Sequence, residues 1–406
     1  MKVGKNSHLL LMVALLYIAH ALPLYFFNVA VPAILREQGV DVRLTGMLSL
    51  LYLPWAFKFL WASVVDNHYL PKLGKRKSWL VLTQACVILL LLGLSAVPLT
   101  AFGVFVAIAF LVSLASATQD IAIDGYTVEQ FDKERFGTAS AMQSFGVAVG
   151  SMAGGAGTLW LYQAFGQQTA IVSLAVLIMG ISVQLYFLKE NTPTHQQTTP
   201  ANTNPPTKAS LLKLLKKPQT KWLLLLIVVF RFVEAPAMAM LNPMLVDFGF
   251  SLSEIGLLFS VFGAVVGIVF ALLAGVLSKK IGTMRCLIWS GWLRTLAYGL
   301  LCLCLLTSVF AGKAVLSGLV LLILAIRYLT MTALYALFME CSDPTQAGTD
   351  FTLFVCLELL VYFVGGAMSG FLVHSLGYGK LFLWLGIFSC VSMVCITPLI
   401  KKLSFQ

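Results

Sequence analysis

The chain has 406 residues, of which 59% are hydrophobic and 11% charged. Soluble domains carry about 25% charged residues, so a water-soluble globular fold is excluded. The formal net charge of +11 would suit nucleic acid, but its distribution along the chain points to membrane orientation and excludes a nucleic-acid partner.

Apolar runs of roughly 20 residues, the length of a bilayer-crossing helix, recur along almost the whole chain. They predict twelve spans, near 9–35, 44–64, 79–97, 102–128, 136–160, 168–188, 221–247, 252–278, 285–308, 313–339, 347–373 and 379–400. Lys2 and Lys5 precede the first run. No small-residue cleavage site follows a short core, so this reads as a membrane helix rather than a signal peptide. Of the 27 Lys and Arg residues, 19 fall in one alternate set of loops and termini, 4 in the other and 4 inside spans. The basic set includes 67–78, 189–221 and 279–285. The positive-inside rule makes that set, and with it both termini, cytoplasmic.

Residues 191–210 are rich in Pro, Thr and Gln, a linker composition. The basic amphipathic piece Leu211–Lys217 follows, suited to the inner membrane surface. This divides the chain into an N-terminal half at 1–188, a cytoplasmic linker at 189–220 and a C-terminal half at 221–406. The halves repeat. Pro23 matches Pro236, Pro32 matches Pro243, Gly46 matches Gly256 and Glu129 matches Glu340, at offsets of 210 to 213 residues. The expected fold is an all-α integral membrane protein of two pseudo-symmetric six-helix halves.

Charges inside apolar runs are costly and tend to face a partner or a water-filled cavity. Asp120 and Asp124, four residues apart, share one helix face. Lys58 in the second span is expected within ion-pair reach of one of them. Arg231 and Glu234 share a face of the seventh span just before Pro236, which removes a backbone hydrogen bond there. Arg327, Tyr328 and Tyr335 lie in the tenth span, and His20, Tyr25 and Asn28 in the first. Glu358 and Arg294 are the remaining deep charges. Glu129 and Glu340, with Arg135 and Asp343 nearby, read either as gate residues at the cytoplasmic ends or as solvated helix ends. None of the eight cysteines has metal-ligand spacing. No phosphate-cradling loop, metalloprotease motif or nucleophile–base pair occurs. The reading is therefore not an enzyme, with no cofactor and no metal. An ion gradient supplies the energy, with protons the expected ion because deep carboxylates can titrate.

Tandem six-helix halves are the architecture of the major facilitator superfamily. The loop carrying Asp66 and then Pro71 to Trp79, with Lys75 and Arg76, resembles that superfamily's loop motif. There an Asp and a basic cluster latch the halves; Asn67 stands here where the motif usually has Arg. Lys58-Phe59-Leu60-Trp61-Ala62 and Gln119-Asp120-Ile121-Ala122-Ile123-Asp124-Gly125-Tyr126 are similar to the AmpG-like branch. That branch includes muropeptide permeases, acetyl-CoA transporters and siderophore importers of the RhtX/FptX type. A twelve-span chain of this length is most similar to the last.

The resemblance implies a monomeric transporter of the bacterial inner membrane, working by alternating access. Its cargo is a bulky anionic small molecule, a ferric siderophore first and a muropeptide second. Efflux of a drug or metabolite by the same fold, and a non-transporting receptor on the same scaffold, are the other readings. By the same resemblance spans 1, 4, 7 and 10 line the cavity. His20, Tyr25, Asn28, Gln119, Arg231, Arg327 and Tyr335 would meet the cargo. Lys58, Asp120, Asp124, Glu234 and Glu358 would couple protons. Asp66, Lys75, Arg76, Glu129, Arg135 and Glu340 would form the cytoplasmic gate.

Overall fold

A computed structural model describes residues 2–38, 47–98, 101–188, 190, 208–307 and 312–403. The chain is all-helical, and no strand occurs among the described residues. Nine helical runs among them are long and apolar enough to cross a membrane. Two of these, Lys133–Phe187 and Pro344–Ile396, are double length. Each turns at a glycine, Gly166 (φ 81°) and Gly377 (φ 74°), in a conformation that a side chain would strain. Apolar residues also face outward: Leu89 is 68% exposed, Trp160 63% and Phe371 83%. Apolar faces on both sides of a helix suit a hydrocarbon solvent.

The expected second span differs from a continuous helix. Its start near 44–46 lies outside the described residues, and Met47–Tyr52 is a 3₁₀ helix. The short helix Leu53–Phe57 carries Pro54 in its first turn, and a second 3₁₀ turn, Lys58–Leu60, follows. Phe57 and Trp61 flank that turn at φ −109° and −116° with ψ near zero. These values lie in the sparsely populated bridge region, where functional residues recur. The break presents Lys58 to the interior, and the chain resumes as Ala62–Asn67.

By compactness the described residues form two units. One comprises 1–132, 145–213 and 342–356; the other comprises 133–144, 214–341 and 357–406. In the first, Ala19, Leu22, Phe26, Leu91, Phe105, Val112 and Ile178 belong to one buried core. Gly146, Gly150 and Gly154, spaced by four, let their helix close on the first helix. A side chain at 146 would come within 2.5 Å of the Ala14 carbonyl oxygen, and one at 154 would strike that of Leu22. Small residues at this spacing drive helix packing in lipid, where apolar burial gives no preference. In the second unit the core gathers Leu241, Met244, Leu301, Leu316, Val320 and Phe382. There Gly275 packs against Ala141 and the Gly137 carbonyl. The linker residues 191–207 lie outside the described residues, whereas the basic piece after them begins with the helix Leu211–Leu215.

Candidate functional site

Three charge clusters stand out, and their net charges differ. The first lies in the first unit, around Asp120 and Asp124 of the helix Phe102–Gln130. Lys58, 1% exposed, donates from Nζ directly to Asp120 Oδ2 and lies 3.6 Å from Asp124 Oδ2. The pairing expected of Lys58 is thus present, with both carboxylates at once. Tyr17 Oη donates to Asp124 Oδ1 at 2.6 Å, and His20 Nε2 lies 3.5 Å from Asp120 Oδ1. Two buried carboxylates share one ammonium. With both ionised the cluster holds one excess negative charge, and one proton makes it neutral. Such a charge is expensive away from water, so the proton's presence is energetically consequential.

The second cluster lies in the second unit and carries the opposite excess. Arg231 Nη1 is 2.7 Å from Glu234 Oε1, and Nη2 pairs directly with Glu358 Oε1. Arg327 Nε is 3.3 Å from the same Glu234 oxygen. Glu234 is in ionic contact with both cations, yet neither of its oxygens is aligned for a hydrogen bond among the described residues. Tyr335 Oη donates to Glu358 Oε2 at 3.3 Å. The Arg231 and Arg327 guanidinium carbons lie 5.1 Å and 5.7 Å from the Tyr362 ring centre, which adds cation–π attraction. Arg294 lies in the helix Thr283–Thr307 and stacks on Phe230 at 4.3 Å. The cluster therefore counts three guanidinium groups against two carboxylates, with Arg294 in ion-pair contact with neither among the described residues.

The third cluster, in the first unit, balances. Asp66 Oδ1 accepts from Arg76 Nη2 at 2.5 Å and lies 3.6 Å from Lys75 Nζ. Its Oδ2 accepts from the Thr349 amide at 2.7 Å and the Thr349 hydroxyl at 2.6 Å. Glu129 accepts from Lys75 Nζ at 2.9 Å, and from Arg76 Nη2 at 2.7 Å and Nε at 3.1 Å. Gly125 and Gly348 leave the room that the Arg76 guanidinium fills. Glu190 Oε1 accepts from the Arg76 and Lys77 amides at 2.8 Å and 2.5 Å, capping the helix Lys75–Ser95. Asn67 Oδ1 accepts from the Ala209 amide at 2.8 Å, and its Nδ2 donates to the Ala209 carbonyl at 3.0 Å. Where the motif usually has Arg, this chain has a side chain that holds the far end of the linker.

Burial opposes ionisation of Asp66, but Arg76, Lys75 and the two Thr349 bonds outweigh it and hold the carboxyl below the usual range. A carboxyl lowered on folding adds stability that is full above its unfolded value of about 3.9. That stability is lost as pH falls through the lower folded value. Asp66→Asn should therefore lower thermal stability by about 3 kcal/mol at any pH from about 8 to about 5, with the gap closing only below about pH 4. A melting series against pH checks this. Any transport pH dependence near neutrality then has another source.

The other residues singled out in the sequence are less closely joined. Tyr25 is half-buried at the end of the first helix, and Asn28 is exposed in the π-helical turn Phe26–Ala30. Gln119 is buried, with Nε2 unpartnered among the described residues. Glu340 accepts from the Thr283 hydroxyl, and Arg135 is half-buried in the turn Lys133–Arg135; both belong to the second unit. Tyr17, Tyr362, Thr349 and Glu190 escaped the sequence reading. Tyr17 and Tyr362 had a usable signal, since each sits one turn from a polar residue, His20 and Glu358, on the same helix face.

Residues 13–238 match the Major Facilitator Superfamily. An uncharacterized protein of Haemophilus influenzae is 27% identical over 392 residues, covering 92% of this chain and 90% of that protein. The anhydromuropeptide permease of Escherichia coli K12 is 27% identical over 379 residues, 90% of this chain and 74% of the permease. Among solved structures, FucP in its outward conformation is similar at a TM-score of 0.72, with 12% identity over 98% of this chain and 99% of that one. A bacterial homologue of the iron transporter ferroportin is similar at 0.68, with 16% identity over 98% and 99% of the two chains. At those identities the likeness concerns the fold alone. With the family match covering more than half its length, the chain belongs to the major facilitator superfamily and is a multi-pass secondary transporter.

Proposed function

We propose that this transporter imports an anhydromuropeptide together with a proton across a bacterial cytoplasmic membrane. The observation that carries the coupling is the buried Lys58–Asp120–Asp124 cluster, one proton short of neutrality. Protonating it removes an excess charge, which biases the equilibrium between outward- and inward-open states. The cargo assignment leans on the likeness to the Escherichia coli permease over 90% of this chain. Muropeptides are sugar–peptide conjugates with free carboxylates, and Arg327 is a half-exposed guanidinium suited to one of them. The Lys and Arg distribution supports cytoplasmic termini, and the protein acts as a monomer.

One observation favours a second cargo. The Lys58–Ala62 and Gln119–Tyr126 segments resemble the AmpG-like branch as a whole, and that branch also includes ferric siderophore importers. The two cargoes separate in one experiment. Cells producing the protein are given radiolabelled anhydromuropeptide or radio-iron-loaded siderophores, with and without a protonophore. Muropeptide accumulation that collapses with the proton gradient is the expected result. Accumulation of a siderophore instead transfers the reading to that cargo. Failure of both, with the protein present in the membrane, overturns import.

A further inference from the structure

Arg294 is a cation with no carboxylate in ion-pair contact among the described residues. It is 3% exposed. Its Nε donates to the Ser389 hydroxyl at 3.2 Å and its Nη1 to the Phe230 carbonyl at 2.9 Å. Among the described residues no carboxylate lies within ion-pair distance of it, and Nη2 has no hydrogen-bond partner. A buried charge left unpaired is among the costliest features a membrane interior can hold. Arg294 nevertheless sits fixed by two hydrogen bonds and by stacking on Phe230 at 4.3 Å. Two of its three donor positions are used to orient the third.

Arg294 also borders a small crevice. Arg294 lines it with Glu234, Met238, Tyr298, Arg327 and Thr330, all in the second unit. Thr330 is 1% exposed, and its hydroxyl is also unpartnered among the described residues. The crevice has room for about one water molecule. A water could satisfy Nη2 and the Thr330 hydroxyl, but it would leave the charge uncompensated. Glu234 attracts Arg294 from beyond ion-pair distance, but it is shared with Arg231 and Arg327, so it compensates the charge only in part. The whole cluster counts three guanidinium groups against Glu234 and Glu358, an excess of one positive charge.

We propose that the crevice beside Arg294 is a binding subsite for one monovalent anionic group, held by Arg294 Nη2 and the Thr330 hydroxyl with Arg327 at its edge. Resting on the muropeptide reading, the group is a carboxylate of the cargo, and Arg294 selects cargo that carries one at the matching position. A free halide has the same charge and is the other source. Anion binding here balances the second unit's excess positive charge, as a proton balances the first unit's excess negative charge.

The test uses the purified full-length protein and reads its melting temperature. Chloride is titrated at constant ionic strength against a bulky sulfonate. Separately, anhydromuropeptide is titrated beside its peptide-carboxamide analogue. The expected result is saturable stabilisation of the wild type by the free-acid cargo and not by the amide. The apparent affinity should fall at least about tenfold in Arg294→Gln, the loss of one charged hydrogen bond. Thr330→Val, which removes only the hydroxyl, should lower it a few-fold and serves if Arg294→Gln does not fold. Stabilisation by chloride that needs Arg294, with the cargo inert, keeps the anion site and sinks the muropeptide reading. Equal affinity of wild type and both variants for every ligand, or of wild type for acid and amide, overturns the site. So does the absence of any shift in the wild type; the crevice then holds only water.

Discussion

Asp124→Asn is expected to abolish accumulation of cargo while leaving cargo exchange intact. The geometry distinguishes the two carboxylates. Asp120 holds Lys58 directly, whereas Asp124 is 3.6 Å from the ammonium and takes a 2.6 Å hydrogen bond from Tyr17. Asp120 is therefore the closer partner of Lys58, and under the proposed coupling Asp124 carries the excess charge that a proton would remove. Asparagine keeps the shape and still accepts from Tyr17, but it fixes the cluster in its neutral state. The conformational equilibrium then no longer responds to protons. A gradient of about one pH unit can drive at most about tenfold accumulation per proton, 1.4 kcal/mol. The variant should lose all of it, while counterflow of labelled against unlabelled cargo continues near the wild-type rate. Accumulation at the wild-type level in Asp124→Asn would remove Asp124 from the coupling step.

Lys58→Met is the second large effect, and it acts on stability. It leaves Asp120 and Asp124 in a buried site whose remaining neighbours are Tyr17 and His20. Removing one partner of a buried ion pair costs about 3–5 kcal/mol, because the survivor keeps its desolvation penalty without its attraction. The melting temperature should fall by about 5 °C. Adding Asp120→Asn to Lys58→Met removes the carboxylate that Lys58 held directly, which returns the cluster to its original net charge, and should recover most of the loss without restoring accumulation. This non-additivity separates an electrostatic defect from a packing defect, since a cavity left by lysine would persist in the double variant. Equal stability of Lys58→Met and wild type would show that the cluster is solvated rather than locked.

The parts of this molecule legible in its sequence are those that the bilayer dictates. Hydropathy gave the long helices because hydrocarbon demands them. Lys58 and the Asp120/Asp124 pair could be matched in advance because isolated charges in apolar runs must find each other. The break at Phe57–Trp61 was not legible: 3₁₀ turns leave no compositional mark, and Pro54 alone also fits a continuous helix start. Glu358 lies outside the four spans expected to line the cavity, yet it pairs with Arg231, because helix rotation rather than span number decides which side chains meet. Thr349 and Glu190 act through contacts 283 and 114 residues away in sequence. Such contacts are set by tertiary packing and have no local signal. The grouping of 133–144 with the later chain and of 342–356 with the earlier is of the same kind. Division at the linker follows the covalent chain, and compactness follows helix contacts.

The most direct measurement is proton movement driven by cargo. The protein is reconstituted in vesicles containing a pH-sensitive dye, with no initial pH difference, and anhydromuropeptide is added outside. Acidification of the lumen in step with cargo entry, absent in Asp124→Asn, is the result predicted for a carrier whose buried carboxylate travels with its proton. Cargo entry at the same rate in both proteins with no change in lumenal pH would contradict it, and would make the Lys58–Asp120–Asp124 cluster a structural lock in a uniporter.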